Sequence, residues 1–278
     1  MVRSSSLVGS EVRKGLILAA ALTGALPLSH AQRDDADRKA LPLSSATVQA
    51  TPGTTRFKLA YNTARWQGRE FPAAEGIHLL MAVILDSRTD GSERAQALDE
   101  LGRLGRWLQN TDRIPKLIGL YDEFRERDER AGVLMILVKA DDPRALPLFM
   151  KILNEEQNLT HRLIAAYGLA NWNVGRGVDE LIRLLECTTS MEDCAAVRGQ
   201  AANNLHGLND RKGWGCPEDD IRDLAVAASN GDSDEYVKAF SSGYREWFEA
   251  NKRRFPDWKP SDPLPALQGE HPAEQGAP

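Results

Sequence analysis

Three kinds of residue in this chain could do chemistry: its cysteines, its histidines and its acidic clusters. The cysteines are Cys187, Cys194 and Cys216. None stands as Cys-x-x-Cys or Cys-x-x-Cys-His, so the spacing supports neither a zinc site, nor a thioredoxin-like redox pair, nor c-type haem attachment. His78, His161 and His206 lie in the body of the sequence and His271 close to its end. Asp122 with Glu123, and Glu218-Asp219-Asp220, could hold an acid/base pair or calcium. The second cluster follows Cys216-Pro217, where proline suits a first helical position and acids suit the positive helix end, so a helix start accounts for it. The first cluster reads as a solvated helix end. The nucleophile elbow Gly-x-Ser-x-Gly, His-Glu-x-x-His, the dinucleotide Gly-x-Gly-x-x-Gly and the phosphate loop are all missing. Asn158-Leu159-Thr160 matches the glycosylation sequon, which carries weight only in a host that uses it. No catalytic residue, metal ligand or cofactor is assigned.

Whatever these groups do depends on the elements that position them. Residues 1–31 have the grammar of a cleavable secretory signal: Arg3, Arg13 and Lys14, then the apolar stretch Gly15 to Leu28, then Ser29-His30-Ala31. That stretch is too short to span a bilayer, which needs about 20 apolar residues, and no later segment is long and uncharged enough. The expected mature chain begins near Gln32 and is secreted or periplasmic. Cleavage removes a net two positive charges and takes the formal −5 to about −7. So acidic a protein does not suit duplex nucleic acid, whose binding requires clustered Lys and Arg. Residues 32–54 are polar, with Pro42, Pro52 and Gly53, and read as a flexible linker. Residues 259–278 carry Pro260, Pro263, Pro265, Pro272 and Pro278 and read as a disordered tail.

Between these segments an internal period appears. Arg94, Arg130, Arg162 and Arg198 are spaced by 36, 32 and 36 residues. Three residues on stand Ala97, Val133, Ala165 and Ala201; four on, Leu98, Leu134, Ala166 and Ala202; seven on, Leu101, Leu137, Leu169 and Leu205. These offsets are one face of a helix, and the small members let neighbouring helices approach closely. A second apolar period follows each: Ile114, Leu117, Ile118; Leu146, Phe149, Met150, Leu153; Val178, Leu181, Ile182, Leu185; Ile221, Leu224, Ala225. Asp142 before Pro143 marks a helix start, and Thr189 with Glu192 has capping-box spacing. The expectation is four helix pairs over 92–230, preceded at 55–91 by an N-terminal helical segment or degenerate repeat. Capping helices follow over 231–258.

The columns, and Asp142-Pro143-Arg144-Ala145-Leu146-Pro147-Leu148 after the helix near Arg130, resemble HEAT repeats over roughly Ser92 to Ala228. The fourth unit departs from the pattern through the insertion Asn209 to Glu218. The resemblance implies an all-α fold, an α-solenoid of antiparallel helix pairs with disordered N- and C-terminal tails. Its concave face would be built from the second helices. Tyr244, Trp247, Phe248 and Phe255 form a stripe expected to dock on the last repeat as an end cap, in preference to an aromatic ligand platform.

In this register Cys187 ends one second helix and Cys194 opens the next first helix, so a Cys187–Cys194 disulfide is expected in an exported chain. Cys216 is left over, read as buried and inert ahead of available for an intermolecular bond. His161 and His206 fall about 13 Å apart along adjacent helices at 1.5 Å per residue, too far to share an ion. Each histidine then reads as structural or solvated. Lys116, Lys151 and Arg183 stand between apolar positions of successive second helices and are the candidate binding residues of the concave face, against the reading of an ordinary solvated face. The function expected is an exported, non-catalytic protein–protein interaction scaffold with an unidentified protein partner. The alternatives are an enzyme or enzyme accessory resembling lyase-type HEAT-like proteins, and a purely structural envelope protein.

Overall fold

The structure, a computed structural model, describes residues 74–187, 194–216 and 234–265. The signal at 1–31, the linker at 32–54, the stretch 55–73, the Thr189–Glu192 capping box and the second helix of the fourth pair lie outside the described residues. The described residues are helical and contain no strand. The helices are α1 (Ala74–Leu85), α2 (Gly91–Arg103), α3 (Arg113–Glu123), α4 (Arg127–Ala140), α5 (Leu146–Glu155), α6 (Leu159–Asn171), α7 (Gly175–Leu185), α8 (Cys194–Lys212) and α9 (Asp234–Asn251). Short 3-10 turns fill Gly105–Leu108, Pro143–Ala145 and Lys252–Arg254.

Local chemistry sets several boundaries. The Asp90 carboxylate accepts the backbone N–H groups of Ser92 and Glu93 and so opens α2. Asn158 accepts the N–H of His161 and opens α6, so the amide of the sequon serves as a helix cap. Asp142 accepts the N–H of Arg144, but Pro143 opens a 3-10 turn rather than a helix, and α5 starts only at Leu146.

The columns seen in the sequence are the core. Ala97, Leu98 and Leu101 of α2, Val133, Leu134 and Leu137 of α4, Ala165, Ala166 and Leu169 of α6, and Ala201, Ala202 and Leu205 of α8 are all buried. These helices form a row in which α4 packs on α2 and α6, and α6 also on α8. The other helices lean forward along the chain: α1 packs on α2, α3 on α4, α5 on α6, and α7 on both α6 and α8. Helix α1, inside the expected N-terminal segment, therefore serves α2 as α3 serves α4. Of the expected pairs, α6 with α7 makes the closest approach. A Cβ on Gly177 would stand 2.5 Å from the Ala170 nitrogen and 2.6 Å from the Ala166 oxygen.

The C-terminal aromatic stripe packs on α7 and on the loop after α8. Phe255 sits edge-on to Trp214 at 4.9 Å and to Trp247 at 5.6 Å, and Trp214 stacks on Trp247 at 6.1 Å. Tyr244, Phe248, Phe255, Trp258 and Trp214 are buried, which suits an apolar seal. Polar ties hold it in place. Arg254 donates to the carbonyls of Trp214 and Gly213, Gly175 donates to the carbonyl of Pro256, and Arg245 pairs with Asp179 and Glu186. The insertion that breaks the fourth unit thus supplies Trp214 to the seal. The proline-rich segment was expected to be disordered from 259. Residues 259–265 instead form a turn, in which the Trp258 indole donates to the Pro263 carbonyl and the Lys259 N–H to Asp262.

Candidate functional site

The repeated arginines fasten helices together. The last carbonyls of a helix lack intrahelical partners and carry partial negative charge, and a guanidinium offers five donors in a rigid fork. Arg94 donates to the carbonyls of Asp86 and Thr89, after α1, and to Glu129 of α4 at 2.7 Å. Arg162 donates to the carbonyls of Leu153 and Glu156, at the end of α5, and pairs at 2.7 Å with Glu180, whose side chain is fully buried. Arg198 donates to the Cys187 carbonyl after α7. Arg130 differs: it pairs with Glu156 at 3.0 Å and lies 4.1 Å from the ring centre of Tyr121.

Arg130 belongs to a cluster of proton-carrying groups in contact that spans α3, α4 and α6. The Tyr121 hydroxyl donates to Glu156 at 3.2 Å and lies 3.5 Å from Nδ1 of His161. His161 Nε2 lies 3.1 Å from the Arg127 carbonyl, an acceptor that places the ring proton on Nε2 and leaves Nδ1 to accept. Burial, assisted by Arg130 and opposed by the Arg127 carbonyl and Glu156, pushes the imidazole below the usual histidine value. Burial also pushes the Tyr121 phenol far above its ordinary value, and Glu156 adds to this against Arg130. Burial raises the Glu156 carboxyl, but the Asn158 N–H, Arg130, Tyr121 and His161 outweigh it and hold the group below the usual range. At neutral pH this is an oriented imidazole beside a carboxylate and a protonated phenol. His161 is 1% exposed and Tyr121 2%, so both side chains are closed off from solvent in this arrangement.

His78 is exposed, and His206 lies 3.5 Å from Asp210 within α8. No group of three or more His, Cys, Asp or Glu side chains among the described residues could hold a metal ion. Cys187 and Cys194 form the expected disulfide, with Cα atoms 5.9 Å apart, closing the connection between α7 and α8. Cys216 is buried, and its N–H donates to Asn209. No family model, curated protein or solved structure matches the chain. The functional reading therefore rests on the geometry.

Lys116, Lys151 and Arg183 are exposed, one on each of α3, α5 and α7, and each faces an acid. Lys116 lies 3.5 Å from Asp112, Lys151 3.0 Å from Asp122 and Arg183 3.0 Å from Glu180. The Lys151–Asp122 pair crosses from α5 to α3. At a spacing of 32 residues Ile114 matches Leu146 and Val178, Leu117 matches Phe149 and Leu181, and Tyr121 matches Leu153 and Leu185, and all nine are buried. In that alignment Lys151 and Arg183 share a column whose α3 member is Gly119. At that spacing Lys116 matches buried Leu148, three residues short of the column. Sequence reasoning placed the three on one face; it did not provide the offset, nor the Tyr121–Glu156 contact across 35 positions.

Proposed function

We propose that this chain is an exported, non-catalytic protein–protein interaction scaffold, a HEAT-like α-solenoid that offers the outer face of α3, α5 and α7 to a protein partner as its concave surface. The observation that carries this reading is the division of labour among the side chains. The repeated columns and arginines are occupied in joining helices, and the Tyr121 and His161 atoms capable of proton transfer are buried. What faces solvent along the second helices is a mixed surface: Lys116, Asp122 and Glu123 on α3, Lys151 and Glu155 on α5, and Arg183 on α7. Recognition spread over several units suits such a surface better than a single pocket does. The Cys187–Cys194 bridge supports export, since disulfides persist in oxidising compartments. Among the described residues no helix is long and apolar enough to cross a membrane.

The test is affinity capture of the mature chain from its native envelope or secreted fraction, beside the Lys116→Ala/Lys151→Ala/Arg183→Ala variant. The reading expects a reproducible protein partner that the triple variant loses, with Lys151→Ala and Arg183→Ala each mattering more than Lys116→Ala. A partner retained in full by the triple variant removes this face. A retained small molecule with no protein partner turns the reading toward an enzyme or carrier.

A further inference from the structure

Ends of α3, α4, α5 and α6 meet at Glu156. Its Oε2 takes the Arg130 guanidinium of α4 at 3.0 Å and the Tyr121 hydroxyl of α3 at 3.2 Å, and lies 3.6 Å from Nδ1 of His161 in the first turn of α6. Its Oε1 accepts the backbone N–H groups of Gln157 and Asn158, after α5. Tyr121 is clamped between two of its neighbours. The Arg130 guanidinium lies 4.1 Å from its ring centre, and the His161 ring meets it edge-on at 5.9 Å. The groups that face His161 all belong to this joint. From α3 comes the Tyr121 hydroxyl, from α4 the Arg127 carbonyl and the charge of Arg130, and from the α5–α6 connection Glu156, while Asn158 accepts the His161 N–H. The Arg127 guanidinium is turned to Thr160, and Asp122, next to Tyr121, is occupied by Lys151 of α5. Among the described residues no hydrogen bond, ion pair or ring contact joins His161 to α7 or α8, which also pack on α6.

We propose that the contact of Tyr121, Glu156 and His161 is an acid-sensitive joint: a proton taken up at Nδ1 of His161 releases the end of α3 from the first turn of α6 while the row of first helices stays folded. With the imidazole neutral, Arg130 and Glu156 cancel. A proton on Nδ1 adds a second cation beside one carboxylate, and the nearest oxygen of that carboxylate already takes two donors. A buried charge without compensation is strongly unfavourable, so the site admits the proton by opening to water. Burial first, and then Arg130, hold the imidazole below the ordinary histidine value against the Arg127 carbonyl and Glu156, the direction this geometry requires. Arg130 and Glu156 are part-exposed and form the rim through which water enters. The opening is local because the contact of α4 with α6 does not depend on the joint: Val133, Leu134, Ala165 and Ala166 stay buried along the row. Movement of the α3 end shifts Asp122 against Lys151 and so alters one edge of the face proposed for the partner. That consequence rests on the scaffold reading; the joint itself does not.

The experiment is hydrogen exchange of the full mature chain, read by mass spectrometry at about pH 7.5 and about pH 5.5 and corrected for the intrinsic pH dependence of exchange, so that protection reports the opening equilibrium. In the opened state His161 titrates near 6.5, whereas in the closed state it stays neutral, so opening is favoured about tenfold at the lower pH. We expect peptides covering Leu117–Phe124 and the first turn of α6 to lose about tenfold in protection, and peptides of α2 and α7 to keep theirs. His161→Gln, whose amide can still donate to the Arg127 carbonyl, loses the pH dependence. Should that variant fold poorly, which circular dichroism reports, Arg130→Gln serves instead: Glu156 then compensates the new proton, and the acid step shrinks. Unchanged protection of the α3 end in wild type overturns the proposal. So does a loss shared equally by α2 and α7, or one that both variants retain in full. No partner is needed, so the outcome bears on the joint and leaves the scaffold reading to its own capture test.

Discussion

Replacing Arg162 by Met tests whether the arginine column holds the row of helices together. Two bonds from Arg162, at 2.9 and 2.7 Å, reach the same oxygen of Glu180, and that carboxylate has no exposure. Arg183 remains as a third donor to this oxygen at 3.0 Å, but its own side chain is 56% exposed and water screens it. The other Glu180 oxygen has no hydrogen-bond partner among the described residues. Arg162→Met therefore leaves a buried charge compensated only from the surface and orphans the Leu153 and Glu156 carbonyls. Breaking a buried pair costs about 3–5 kcal/mol, and the surviving Arg183 puts this case near the lower end. For a domain of this size about 3 kcal/mol lowers Tm by roughly 6–12 °C. Arg162→Met/Glu180→Leu removes the stranded charge as well and recovers most of the loss, leaving about 1–2 kcal/mol for the two carbonyls. The assay is urea unfolding followed by circular dichroism and tryptophan fluorescence, closed as a double-mutant cycle with Glu180→Leu. A coupling of about 2 kcal/mol or more is expected. A single variant within about 1 kcal/mol of wild type, or additive losses, refutes the claim that this pair joins α6 to α7.

Gly177→Ala pushes a methyl against the α6 backbone and is expected to cost about 2–3 kcal/mol in urea unfolding. Gly119→Ala, where a Cβ meets nothing within 4 Å, is expected to be neutral or to gain up to about 1 kcal/mol from helix propensity. Reducing the Cys187–Cys194 bridge is expected to cost about 2–3 kcal/mol by restoring loop entropy to the unfolded chain. Thiol titration of the unreduced protein should find no reactive group in the folded state and one, Cys216, in denaturant. Acidification gives a signed test. His161 and Glu156 both have folded pKa values below their unfolded ones, so the unfolded chain binds more protons between the two values and stability falls with pH. The loss begins near pH 6.5, about the ordinary histidine value, and deepens below about pH 4.3 as Glu156 protonates. Tyr121 acts in the other direction: its folded pKa is raised, so its contribution is whole below about pH 10 and falls as the unfolded phenol ionises. Urea midpoints from pH 8 to 4 should show the histidine limb in wild type and not in His161→Gln, and equal limbs would remove His161 from the account.

The first helices were legible because burial repeats the same choices at fixed offsets. Ala97, Val133, Ala165 and Ala201 share an offset from the column arginine, and all are buried. The Cys187–Cys194 bridge was legible for a related reason, since the register put both residues at one edge. The forward lean of α1, α3 and α5 was not legible. An apolar stripe records that a face is covered and not which neighbour covers it, so Leu117 and Phe149 read alike whether their helices pair backward or forward. The docking of the C-terminal stripe on α7 was hidden in the same way. Its polar anchors, Arg245 with Asp179 and Glu186, lie 66 and 59 positions apart with no pattern to join them.

The site chemistry shows the same division in reverse. The arginine column was the strongest signal in the sequence, and it is structural because a device that joins helices along the row must recur with the spacing of the row. A site that appears once must break the period. Tyr121 and His161 meet only where Arg130 turns to Glu156 instead of to helix-end carbonyls. Lys116 stands one turn off the column of Lys151 and Arg183. In a chain built this way, departures from the repeat are better guides to function than the repeat itself.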